Sequence, residues 1–128
     1  MQAQAAAQPA RPRPEPPPGA QPYDRGPYDA LVLGCAGALI QAVRPSFGRV
    51  EIERLQLPAD AAWPQVSAHY ARGFTRADGW TTEPLPEQSG GCRMRAWSNG
   101  RAHYAAALLD DAVGDPPFRV LLVAYPAP

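Results

Sequence analysis

The sequence predicts an α+β fold: a single, mainly antiparallel sheet of four to five strands with one or two helices packed on one face. Three observations predict it. Trp63, Val66, Tyr70 and Phe74 recur at spacings of three and four, which places one apolar stripe on a helix. Asn99-Gly100 separates two strand-like runs, Cys92–Trp97 and Ala102–Leu109, and Asn-Gly is the preferred two-residue hairpin turn. Phe118–Tyr125 (FRVLLVAY) is a near-continuous apolar run, as a centrally placed strand requires.

In chain order, Asp29 is placed to cap a helix through Leu31, Leu39, Ile40 and Val43, ended by Pro45. Gly34 and Gly37 each weaken such a helix by about 1 kcal/mol. A buried strand Ala30–Leu33 followed by a short helix fits equally, because the run is apolar on every side. Arg49–Leu57 reads as a strand. Its apolar positions slip from Val50 and Ile52 to Leu55 and Leu57, which implies a bulge or a change of buried face. Pro58 ends it. The striped helix starts at Asp60 or Ala61, tolerates Pro64 in its first turn and stops by Gly79. Trp80–Leu85 reads as a short edge strand with Pro84, residues 86–91 as a loop, and Asp110–Pro117 as a turn.

A two-residue turn sets Trp97 opposite Ala102, Ala96 opposite His103, Arg95 opposite Tyr104 and Met94 opposite Ala105. One hairpin face then carries Cys92, Met94, Ala96, Ala105, Ala107 and Leu109, small enough for a helix to lie close. The other carries Arg93, Arg95, Trp97 and Tyr104. Arginine and aromatic side chains dominate protein-binding hot spots, so these four residues form the candidate protein-contact patch.

Composition divides the chain into two parts. Residues 1–27 hold eight of the 17 prolines and one large apolar side chain, Tyr23. Such a segment buries too little to offset its ordering entropy, so a disordered proline-, alanine- and glutamine-rich arm is expected before a single domain over 28–128. Twelve basic residues, all arginine, balance twelve acidic ones. The basic excess on which nucleic-acid affinity rests is missing, and no nucleic-acid partner is expected. No run reaches the roughly 18 apolar residues of a membrane span. Val32-Leu33-Gly34-Cys35 superficially resembles a lipoprotein cleavage box, but a charged, proline-broken stretch precedes it where an apolar run is needed. Gln2-Ala3-Gln4-Ala5-Ala6-Ala7-Gln8-Pro9 resembles the start of a mature exported protein, with Met1 in place of a removed leader; a native tail of that composition is the alternative. Cys35 and Cys92 have no zinc-type spacing. They form a possible disulfide in an oxidising compartment, or two buried small hydrophobes in a cytosol.

Candidate chemistry is sparse. His69 sits beside the helix stripe and His103 on the hairpin, where each reads as a rim or packed residue. Cys92 and His103 fall on one predicted face, though not directly opposite, as a candidate nucleophile and base; that face reads as core, where Cys92 is inert or disulfide-bonded. Ser67, Ser89 and Ser98 lack a nucleophile-elbow context. Glu51 with Glu53, and Asp110-Asp111 with Asp115, read as solvated acids, and the latter turn does not match a calcium loop. No glycine-rich phosphate loop is present, and no cofactor or metal is expected.

Trp63, Val66, Tyr70, Phe74, Gly79 and Trp80 together give a helix stripe followed by the Gly-Trp that opens the next strand. In this pattern residues 50–125 resemble small bacterial envelope and lipoprotein-type α+β domains of unknown function. The resemblance implies the fold and an envelope location, and it brings no catalytic residues. The apolar segment Ala30–Val43 departs from it and suggests an added element or docking surface. The expectation is therefore a non-enzymatic exported or cell-envelope module, periplasmic or secreted, acting through protein–protein contacts with the arm as a tether. One alternative is an accessory subunit of a larger assembly, docking through residues 30–43 and compatible with a cytoplasmic location. Another is a small enzyme using Cys92 or His103.

Overall fold

How residues 30–43 fold decides the architecture, and they fold as helix. The computed structural model describes residues 14–23, 29–85 and 91–128. In chain order these form β1 (Gln21–Pro22), α1 (Asp29–Phe47), β2 (Val50–Pro58), α2 (Trp63–Gly73), a 3₁₀ turn (Arg76–Asp78), β3 (Thr81–Glu83), β4 (Cys92–Ser98), β5 (His103–Leu109) and β6 (Phe118–Pro126). The sheet has six strands in the order β1-β2-β6-β5-β4-β3, and every pairing is antiparallel. The α+β class with one antiparallel sheet and two helices is as the sequence predicts. The count exceeds four to five because Gln21–Pro22, inside the expected arm, adds an edge strand.

The placement of the helices differs from expectation. Neighbouring residues of a strand point to opposite faces. Ala105, Ala107 and Leu109 of β5 pack with Val32, Cys35, Leu39 and Val43 of α1. Tyr104, Ala106 and Leu108 pack with Val66, Tyr70 and Phe74 of α2. The two helices therefore cover opposite faces, not one. The reason lies in β5 and β6, which occupy the two central positions and bury consecutive residues Tyr104–Leu109 and Val120–Tyr125. A sheet apolar on both sides needs a helix on each side.

α1 lies close to the sheet because the residues beneath it are small. Ala96, Ala105, Ala107 and Ala124 form its floor. Its inner side chains Val32, Leu39 and Val43 are fully buried, each contributing about 1.5–3 kcal/mol. Gly34 and Gly37 sit on the outer side, so their propensity cost is offset by packing across the helix. Pro45 does not end the helix, which continues to Phe47. Gly48 ends it: its φ of +70° is the left-handed cap conformation, and its N–H reaches the Arg44 carbonyl at 2.9 Å.

β2 pairs with β6 in unbroken register from Val50↔Pro126 to Pro58↔Phe118, so it contains no bulge. The slipped apolar phase is a change of buried face. Val50 and Ile52 pack toward α1, whereas Leu55 and Leu57 pack toward α2. β3 is an edge strand, as Pro84 suggests.

The expected disordered arm also needs revision. Residues 1–13 and 24–28 lie outside the described residues, as does most of the 86–91 loop. Pro14–Tyr23, however, is folded onto the domain. Gln21 pairs with Gln56 and Pro22 with Leu55, the Tyr23 N–H donates to the Arg54 carbonyl at 3.2 Å, and Pro17 and Tyr23 are buried. A two-residue strand is too short to carry a hydrophobic signal, and an arm-like composition conceals it.

Cys35 of α1 and Cys92 of β4 form a disulfide with Cα atoms 5.9 Å apart. It closes a long loop and fixes α1 to the sheet. Replacing both cysteines by serine is expected to lower stability by about 2–4 kcal/mol in urea denaturation of the oxidised protein. An unchanged midpoint would show that packing alone holds α1.

Candidate functional site

The four residues of the candidate contact patch, Arg93, Arg95, Trp97 and Tyr104, share one face of the β4–β5 hairpin. The pairings differ by two residues from the expected register: Trp97 lies opposite Tyr104 and Ser98 opposite His103. The connection is a four-residue loop because the Asn99 side chain organises it, its Oδ1 accepting from the N–H groups of Arg101 at 2.9 Å and Ala102 at 2.7 Å. A slip of two residues keeps each side chain on its face, so the face assignment survives the wrong register.

The patch itself divides. Arg93 and Arg95 are exposed, whereas Trp97 and Tyr104 are buried beneath α2. There they join Tyr70, Phe74 and Trp80 in an aromatic cluster. Phe74 lies 4.4 Å from Trp80, 5.1 Å from Trp97 and 5.3 Å from Tyr104 between ring centroids; Tyr70 lies 5.5 Å from Tyr104. The aromatic half of the patch is therefore core and offers nothing to a partner. Arg93 instead borders a hollow of about 290 Å³ with Trp63, Pro64, Asp110 and Arg119.

Burial gives this cluster its electrostatic character. The Tyr70 hydroxyl is buried against that of Tyr104 without a well-formed hydrogen bond to any described residue. Burial pushes the Tyr70 phenol up to about 12; Tyr104 works against this shift and the Glu53 carboxylate adds to it. The Tyr104 phenol is pushed up further, first by burial and then by Tyr70, Glu53 and Tyr125.

The cysteine–histidine pair is not assembled. The Cys92 sulfur is bonded to Cys35, and the described residues contain no free thiol. His103 Nδ1 donates to Glu83 Oε1 at 2.6 Å, and the Ser46 hydroxyl donates to Glu83 Oε2 at 2.8 Å. This Ser46–Glu83–His103 network ties the end of α1 to β3 and β5. Its order is not that of a nucleophilic triad, in which the imidazole stands between hydroxyl and carboxylate. His69 Nε2 donates to the Glu15 carbonyl of the arm at 2.6 Å. Both networks join residues far apart in the chain, so no local spacing announces them. No group of three or more metal-ligating side chains occurs among the described residues.

Arg119 was missed as well. It stands in an apolar strand, yet its guanidinium donates to the carbonyls of Ala61 at 2.7 Å, Asp110 at 3.0 Å and Leu109. It thus fastens the start of α2 and the turn after β5 to the sheet. The turn itself closes through the mutual Val113–Phe118 backbone bonds at 2.8 Å.

The remaining exposed apolar surface lies on α1. Leu31 and Leu33 are 56 % and 59 % exposed, the only large apolar side chains so placed among the described residues. Beside them, a Cβ added at Gly34 or Gly37 would meet nothing within 4 Å. No unbroken apolar run spans a membrane, yet the helix segment Ala30–Phe47, its few polar residues included, is by length and composition alone apolar enough to cross one, with a mean hydropathy of 1.4. In this fold its inner side is core.

No family model, curated protein or solved structure matches the chain.

Two outcomes test this description. An unfolded tyrosine ionises near pH 10.0 and the folded Tyr70 near 12. Between these values the unfolded chain releases a proton that the folded chain keeps, so stability falls as pH rises, by about 1.4 kcal/mol per pH unit for each such tyrosine. Urea denaturation at pH 9, 10 and 11 should show little change up to pH 10 and this decline above it, and Tyr70→Phe should make the decline shallower. Arg119→Ala should cost about 2–3 kcal/mol and speed amide exchange at Val113 and Phe118.

Proposed function

We propose that the protein is a non-enzymatic exported or cell-envelope module that acts through protein–protein contact, with the outward side of α1 as its contact surface. The supporting observation is the Leu31–Leu33 pair, exposed on a helix that a disulfide fixes to the sheet. Exposed leucines on a rigid support offer apolar area at little ordering cost. No charged residue lies between Ala30 and Val43, and the open space over Gly34 and Gly37 lets a partner backbone come close. The fitting partner is a protein that lays an apolar helix along this side. A disulfide is weakly consistent with a location outside the cytosol. Against catalysis stand the Cys35–Cys92 bond and the two histidines, each already donating to an acceptor within the protein.

The same surface serves the second reading, an accessory subunit that docks permanently into a larger assembly. Permanent docking is favoured if the protein leaves its native host only as part of a complex; transient contact is favoured if it leaves as a monomer.

The test has two arms. Protein taken from its native host without reductant should contain no free thiol and should fractionate outside the cytoplasm. Two free thiols in a cytoplasmic fraction overturn export. Leu31→Glu with Leu33→Glu should leave stability within about 0.5 kcal/mol, as exposed substitutions do, and should remove the principal cross-linked partner. Retention of that partner overturns the role of α1.

A further inference from the structure

The described part of the arm behaves as a bound peptide. Pro14 lies over Gly73 at the end of α2. The Glu15 carbonyl accepts from His69 Nε2 at 2.6 Å. Pro17 is buried, and a turn follows in which the Ala20 N–H donates to the Pro17 carbonyl at 3.2 Å. Gly19 passes Pro58 so closely that a Cβ there would stand 3.0 Å from the Pro58 ring, and its φ of +83° is itself unfavourable for other residues. The segment then adds two residues to the edge of β2 and rounds that edge. Ala20 packs with the α2-side core and Tyr23 with the α1-side core.

Strand addition at a sheet edge is one mode by which extended peptides are recognised, and here a side-chain donor to a backbone carbonyl and an apolar hollow beside the proline rings accompany it. Leu57, Pro58 and Val66 line the hollow beside Pro17 and Pro18, and the donor is His69. The arm does not fill its groove. A hollow of about 320 Å³ remains between Pro17, Pro18 and the α2 side, bordered by Gln65 and Arg72.

We propose that the groove between β2 and α2 is a binding site for an extended proline-rich segment of another protein, and that the chain's own Pro14–Tyr23 occupies it in the absence of that partner. This surface is separate from the outward side of α1, and the proposal does not depend on a role for that side. The occupant is identified by the segment already seated there: consecutive prolines, an accepting carbonyl before them, and a strand-forming end. The arm is covalently attached and competes at an effective concentration of order mM. A ligand must displace it. If the arm is seated about nine-tenths of the time, a competitor is weakened about tenfold.

The test uses the full chain and a fluorescein-labelled synthetic peptide of the Pro14–Tyr23 sequence, followed by anisotropy. In the full chain, Gly19→Val places a branched side chain against Pro58 in a left-handed conformation and should release the arm, seen as faster exchange of the Tyr23 amide. The peptide keeps its glycine. It should bind the variant at least about tenfold more tightly than the wild type. Adding His69→Ala should weaken that binding about fivefold, as loss of one hydrogen bond does. Replacing Pro16, Pro17 and Pro18 of the peptide by alanine should weaken it further. Equal peptide affinity for wild type and variant, with the Tyr23 amide released, overturns the proposal. So does equal binding of the alanine peptide. Concentration-dependent dimers that the peptide dissolves would make the occupant a second copy and overturn it too. If Gly19→Val leaves the Tyr23 amide protected, Pro17→Asp is the releasing variant and the same outcomes apply. If neither releases it, the arm is a fixed part of the core and the proposal fails.

Discussion

Everything in this fold follows from a pair of central strands with no polar face. From Tyr104 to Leu109 and from Val120 to Tyr125 every residue is buried. Antiparallel sheets often leave one side to water, and these strands do not permit it. Each side must be covered by its own layer. The residue sizes assign the layers. Alanines at 96, 105, 107 and 124 accept a helix lying close, and α1 lies there. Trp97, Tyr104 and Tyr125 stand higher on the other side, and the aromatic stripe of α2 meets them. Aromatic rings in tilted contact at 4.4–6.1 Å fill the larger gap on that side.

The two layers are secured by different means. α1 is fixed by the Cys35–Cys92 bond and by the Ser46–Glu83–His103 network at its far end. α2 has no side-chain cap at its start, where Ala62 stands. It relies on the aromatic cluster and on Arg119 reaching the Ala61 carbonyl just before it. A guanidinium is suited to this, because its fork of donors serves several carbonyls from one position.

Much of this was legible in the sequence, for identifiable reasons. The stripe Val66–Tyr70–Phe74 is periodic, so α2 could be read directly. The unbroken apolarity of Phe118–Tyr125 marked β6 as central. The face assignment of the hairpin survived an error of two residues, because only odd slips change faces. The segment 30–43 could not be assigned, since a run apolar on all sides has no period. The same unbroken apolarity that marks β6 as central also requires a cover on each side. The candidate patch failed on that point. Trp97 and Tyr104 share a face with the two arginines, but α2 reaches across only part of it, and sharing a face does not establish exposure. The Glu83–His103 and His69–Glu15 contacts depend on tertiary placement and leave no local trace.

The arm illustrates how composition and context part ways. Its prolines forbid a core of its own, yet they also cut the entropy lost when it is laid on a core already built. The domain supplies the rest: an open edge on β2, the Pro58 ring, and an imidazole facing outward on α2. It adds two residues to the sheet and is held by hydrogen bonds and packing alone, while α1 carries the covalent staple. Tyr23, at the end of the arm, packs into the α1-side core, so arm and α1 share one layer, in which the Cys35–Cys92 bond holds α1 to the sheet whether or not the arm is seated.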